Sequence, residues 1–165
     1  IMGIGGKSDM FSSRYGFWSV TKDDVIYVGG GCDLSDYFFS DCWTSSDGGK
    51  SWRCVCKSMT GDKKKGIIYA SAVALEGTLI VAGGSEQPHN GVDALRLHGS
   101  YWSSSTGGVS WSKMNDEEFQ RTCHAATVCG RELIVIGGSD DVDDEIGGGD
   151  AKTQGQDQDL VSVFQ

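Results

Sequence analysis

Three short apolar runs organise this chain: Val25-Ile26-Tyr27-Val28, Leu79-Ile80-Val81-Ala82 and Leu133-Ile134-Val135-Ile136. Each closes on a glycine pair, Gly29-Gly30, Gly83-Gly84 and Gly137-Gly138, and successive pairs are 54 positions apart (83−29 and 137−83). A run of β-branched and apolar residues ending in two residues without Cβ predicts a buried strand that stops where another backbone crowds in. A constant interval of this size marks an internal repeat.

A second pattern follows the first two runs. Trp43 to Trp52 reads WTSSDGGKSW, and Trp102 to Trp111 reads WSSSTGGVSW. The two decads are offset by 59 positions (102−43), which implies a five-residue insertion between Gly84 and Trp102. Each decad brings two strand-like flanks together across a Ser/Asp/Gly turn, where Gly supplies positive φ without steric cost. Four strands per unit follow: 16–21, 25–30, about 39–45 and about 51–56, then 68–74, 78–84, 100–105 and 110–114, then 123–128 and 132–138. A third strand of the last unit is expected over Asp159–Phe164. With 25 glycines and no sustained helical period, only Asp116–Gln120 is expected to make a single helical turn.

Four-stranded units carrying a strand-terminal glycine pair and a later tryptophan resemble the blades of the kelch repeat family. The resemblance implies an all-β fold, a β-propeller of four-stranded antiparallel blades like that of galactose oxidase, with about three blades present. It places a leading remnant at 1–13, blades at 14–66 and 67–120, and a partial blade at 121–165. The hairpin Ser45-Ser46-Asp47-Gly48-Gly49-Lys50-Ser51-Trp52 is similar to S-x-D-x-G-x-x-W, the Asp-box of BNR repeats in sialidases and sortilin-like receptors. The second copy keeps Ser104, Gly108 and Trp111 but has Thr106 in the aspartate place. In those families the box is structural, which implies turn-closing for Asp47 and packing for Trp43, Trp52, Trp102 and Trp111.

Propellers close with about four to eight blades, because closure protects the sheet edges. The chain is therefore expected to be a fragment of a larger ring, completed by further blades or by a second copy. Ile1-Met2-Gly3-Ile4-Gly5-Gly6 resembles another glycine-pair strand, but only 24 residues separate Gly5 from Gly29.

Charge narrows the partners. Fourteen Lys and Arg against 23 Asp and Glu give a net charge of −9, which argues against nucleic acid or an anionic membrane surface. Lys63-Lys64-Lys65 reads as a solvated loop, and no apolar stretch approaches the ~20 residues of a membrane span. The six cysteines, Cys32, Cys42, Cys54, Cys56, Cys123 and Cys129, lack metal-site spacing. If Trp43 faces Trp52, then Cys42 faces Arg53 and Cys54 points to the other side of the sheet. Buried free thiols are expected, leaning towards a reducing, cytoplasmic compartment.

In an up-and-down blade the 2–3 and 4–1 loops share one face, and here they hold nearly all the length variation, at 31–38, 85–99 and 139–158 and at 57–67 and 115–122. That face is the expected recognition surface. Its candidates are Asp33, Asp36 and Tyr37 in an acidic, aromatic loop, His89 and Asn90 in a turn cluster, and Asp140 and Asp143 in an acidic tract that lacks calcium-loop spacing. Phe38 and Phe39 belong either to that patch or to the core. Arg121 and His124 echo the R-x-x-H opening of kelch blades, a packing role, and Arg14 holds the comparable place in the first unit.

No catalytic set can be placed. Arg14, Arg53, Arg96, Arg121 and Arg131 fall at non-equivalent positions and do not match a sialidase triad; His89, His98 and His124 fit no copper-ligand motif. The expected function is a non-catalytic module that binds another protein through its 2–3 and 4–1 loops, with no cofactor or metal. The alternative is an Asp-box carbohydrate-active propeller, sialidase or glycoside hydrolase-like, or a glycan-binding module.

Overall fold

The computed structural model describes residues 10–62, 65–88, 96–97, 100–115, 121–139 and 161–164. Among them the chain is all-β and contains no helix. The first unit is an antiparallel sheet in sequence order: β1 (Trp18–Lys22), β2 (Val25–Gly29), β3 (Cys42–Ser45) and β4 (Arg53–Cys56). β6 (Ser71–Leu75), β7 (Thr78–Ala82), β10 (Ser100–Ser104) and β11 (Ser112–Asn115) repeat that order in the second unit. A third has β12 (Ala125–Cys129), β13 (Glu132–Ile136) and β14 (Val161–Phe164). The helical turn expected at 116–120 and the pattern at 1–6 lie outside the described residues.

The units stack face to face, and strand alternation decides which residues meet. Trp18, Val20, Val25, Tyr27 and Val55 of the first unit pack on Ala72, Ala74, Leu79, Val81, Trp102 and Trp111 of the second. Trp18 meets Trp111 edge to face at 5.7 Å. The intervening residues Val73, Leu75, Ile80 and Ala82 turn the other way, onto Ala126, Val128, Leu133 and Val135 of the third unit. β7 is therefore covered on both faces, and its unbroken apolar run reflects that double burial.

The inner ends of the units repeat residue for residue. Tyr15 bridges Cys32, Ile68 pairs with Ser85, and Thr122 bridges Ser139. Gly16, Tyr69 and Cys123 all take left-handed φ, at 62°, 60° and 55°. The left-handed glycine pairs are Gly30-Gly31, Gly83-Gly84 and Gly137-Gly138. This corrects the first pair, expected at Gly29-Gly30: the structural intervals are 53 (83−30) and 54 (137−83), and the insertion before Trp102 is six residues (18 positions from Gly84 against 12 from Gly31 to Trp43). Gly29 is a glycine for a different reason. It belongs to β2, where a Cβ would collide with the Trp18 ring and the Asp41 carbonyl. At the true pairs a Cβ would lie 2.7 Å from the Tyr15 carbonyl at Gly31, and 2.6 Å from that of Ile68 at Gly84.

Two predicted loops contain a further sheet. β5 (Lys65–Ile68) pairs with β8 (Ser85–Pro88), which pairs with β9 (Arg96–Leu97), so 57–67 and 85–99 are not wholly loop. The pairing lengthens the single bridge that the other two units have at this position. Glu86 ties it down, 2.9 Å from Lys65 and 3.4 Å from Lys113.

Register also differs in the first decad. Trp43 lies opposite Cys54, and Cys42 opposite Cys56, rather than opposite Trp52 and Arg53. The shift has two causes: a bulge between Cys42 and Trp43, and a turn that draws Trp52 back through a 3.1 Å hydrogen bond from its Nε1 to the Gly49 carbonyl. All six cysteines are free, but only Cys32 and Cys42 are buried. Cys123 and Cys129 are exposed, against expectation. Cys129 alternates away from the packed Ala126 and Val128, and Cys123 sits at the left-handed inner position.

Candidate functional site

The loop after Gly31 is a closed, hydrogen-bonded turn. Asp33 Oδ1 accepts the amides of Ser35 (2.8 Å) and Tyr37 (3.0 Å), while the Asp36 amide donates to the Asp33 carbonyl at 3.2 Å. An aspartate that bonds the backbone just ahead of it fixes a turn without a helix or strand. The consequence is outward display: Leu34 is 97% and Tyr37 47% exposed. Phe38 goes the other way, buried with Cys32 and Ile68, and no side chain could occupy Gly66 because Phe38 fills the space.

Tyr37 stands on a rigid stack. Its ring meets Phe39 at 4.9 Å, and the Arg14 guanidinium lies 3.9 Å from the Phe39 centroid. Arg14 is in turn fixed by both Asp41 oxygens, at 2.6 and 3.1 Å, and by the Gly30 carbonyl at 2.9 Å. Its side chain is almost wholly buried, a setting in which a bidentate carboxylate pair holds the fork in place. Arg121 repeats part of this contact by donating to the Gly137 carbonyl at 2.9 Å. In the second unit Ile67 holds the equivalent place.

Tyr15 and Tyr69 complete the patch, 42% and 37% exposed. They are adjacent, since a Cβ added at Gly16 would lie 2.9 Å from the Tyr69 ring. A hydrogen bond to Cys32, with burial and the nearby Tyr69 and Asp36, pushes the Tyr15 phenol up to about 12, so it stays neutral. Thus Asp33, Asp36 and Tyr37 are brought together, with Leu34, Tyr15 and Tyr69 beside them. Sequence reasoning placed Leu34 in the same loop but missed Tyr15 and Tyr69. The signal for Tyr69 was its position 53 residues after Gly16, at an inner turn. His89, Asn90, Asp140 and Asp143 lie outside the described residues.

The polar side chains that close the hairpins serve their own turns. Asp47 is spent on its own turn: Oδ1 accepts from Ser45 Oγ, Lys50 N and Ser51 N at 2.8–2.9 Å, and Oδ2 accepts from Ser51 Oγ at 2.6 Å. These bonds, the Ser51 hydroxyl first, hold its carboxyl well below the usual carboxylate range. Thr106 takes the same place in the second hairpin, accepting the Ser110 amide at 2.9 Å. Trp111 Nε1 donates to Gly108 O at 2.9 Å, as Trp52 does to Gly49. His124 packs over Gly83, where burial lowers the pKa of its imidazole. Arg131 pairs with Glu76 at 2.6 Å on the surface. Among the described residues no group of His, Cys, Asp and Glu could hold a metal ion, and no helix is long and apolar enough to cross a membrane.

No protein-family model and no curated protein matches the chain. Among solved structures it is similar to one described as the structure of YjhT, with a TM-score of 0.58 and 16% identity. The match covers 76% of this chain and 34% of that one, so the chain spans about a third of that neighbour's length.

Proposed function

We propose that the chain is about three blades of a kelch-type β-propeller that binds another protein through the loops at one face, without catalysis. Remaining blades or a second copy complete the ring. The recurrence of one inner-end pattern in three stacked sheets supports the propeller: each unit repeats the same pairing, the same left-handed position and the same glycine pair.

The observation that carries the binding reading is the fixed display of Leu34 and Tyr37 beside Asp33 and Asp36. An exposed aromatic held on a rigid stack offers contact area at small entropic cost, as interface anchors do. The carbohydrate-active reading has less support, because the Asp47 carboxylate already accepts four hydrogen bonds within its own turn. The test compares Tyr37→Ala with the unaltered chain. A protein partner retained by the unaltered chain should be lost in the variant, with the melting temperature unchanged. Cleavage of sialosides or glucans by the purified chain would overturn the proposal.

A further inference from the structure

A groove of about 500 Å³ runs between the outer hairpins of the first two units, well within the size of small-molecule sites. Its first wall carries Val25, Tyr27, Thr44, Trp52, Arg53 and Val55, and its second the turn Thr106-Gly107 with Val109. Register makes part of this wall a row. Tyr27 lies opposite Thr44 across β2 and β3, and Thr44 lies opposite Arg53 across β3 and β4. Residues paired in this way share a face, with neighbours about 5 Å apart.

The polar groups of the groove divide sharply. Ser45, Ser51 and Thr106 are consumed by the hairpin turns, with Ser51 and Ser45 both donating to Asp47. By contrast, the Tyr27 hydroxyl, Thr44 Oγ1, the Ser46 hydroxyl and the Arg53 guanidinium make no hydrogen bond or ion pair with another described residue. One unpaired cation and three uncommitted hydroxyls therefore line the groove, and no carboxylate is among its lining residues, in a chain of net charge −9.

We infer that this groove binds a sugar bearing a carboxylate. The Arg53 fork matches a carboxylate in two parallel hydrogen bonds. Hydroxyls that both donate and accept match the hydroxyls of a sugar ring. Val25, Val55 and Val109 supply an apolar surface for the C–H face. A single arginine neutralises a monoanion and would leave a phosphate dianion half compensated. The site lies between two units that are both present, and it stands apart from the loop-face reading above.

The test titrates the 165-residue chain with D-glucuronate, D-glucose, glucose 6-phosphate and an acetylated Asp-Glu dipeptide, followed by amide chemical shifts. Glucuronate should give saturable shifts at Thr44, Arg53 and Gly107, and bind at least about tenfold more tightly than each of the other three, the advantage over glucose reflecting one charge-assisted pair. Arg53→Gln should weaken glucuronate binding by about tenfold or more without lowering the melting temperature, since Arg53 is exposed. Thr44→Val, which removes one row hydroxyl at nearly constant shape, should weaken it severalfold. Absence of saturable shifts at these amides overturns the inference. So does glucose, the phosphate or the dipeptide binding as tightly as glucuronate, or unchanged glucuronate affinity in both variants.

Discussion

The backbone amide of Tyr69 donates a 2.8 Å hydrogen bond to the carbonyl of Gly16, its counterpart one unit earlier. Cys123 repeats the bond to Tyr69 at 3.1 Å, so the units are joined at their inner ends by a chain of left-handed residues. A tyrosine there is strained, because its Cβ crowds the following carbonyl. Tyr69→Asn should leave stability unchanged or raise it by up to about 1 kcal/mol, since Asn tolerates this conformation. Gly16→Ala, whose Cβ would lie 2.6 Å from Ile68 Cγ1, should cost about 1–3 kcal/mol. Denaturant midpoints measure both.

Trp18 and Gly29 form a size-matched pair across β1 and β2, where the second unit has Ser71 and Ala82. Gly29→Ala should destabilise by overpacking, about 1–3 kcal/mol, and Trp18→Ser by about 3–5 kcal/mol through cavity formation. The double variant should cost less than their sum by at least about 0.5 kcal/mol, because each change relieves the other. Urea unfolding of the four proteins completes the cycle.

Arg14 and Asp41 are a buried pair whose counterparts in the second unit are Ile67 and Ser100. Removing one partner strands the other: Arg14→Ile should cost about 3–5 kcal/mol. Adding Asp41→Ser should recover at least half of that loss by removing the uncompensated charge. Thermal unfolding checks the order of stabilities.

Asp47 predicts an acid sensitivity. Its folded pKa lies below the unfolded value, so its contribution is complete above about pH 4 and is lost as pH falls through and below that value. Asp47→Thr, which copies Thr106 of the second hairpin, should keep the fold and flatten the fall in melting temperature between about pH 5 and pH 2. Equal slopes in the two proteins would remove Asp47 from the acid response.

Much of the architecture was legible because it is periodic. Apolar runs, glycine pairs and tryptophan decads each mark a strand or turn by local chemistry, and these recur along the chain. The errors came where two causes produce one letter. Gly29, Gly30 and Gly31 look interchangeable, yet Gly29 answers to the bulk of Trp18 while the other two answer to left-handed geometry. The β5–β8 pairing is not legible because Ser85-Glu86-Gln87-Pro88 has no apolar alternation, and only its partner strand makes it a strand.

The repeated all-β units, their approximate interval and the turn chemistry of Asp47 follow from residue order alone, since these depend on neighbours in the chain. What each polar group has left to offer depends on contacts between distant segments. Arg14 and Arg53 are the same residue type, but the fold buries one against Asp41 and leaves the other over a groove without a partner among the described residues. Likewise Tyr69 is exposed and strained at a position where the first unit has glycine. Burial, register and partner supply are properties of segments some 53 residues apart brought into contact, and no local pattern encodes them.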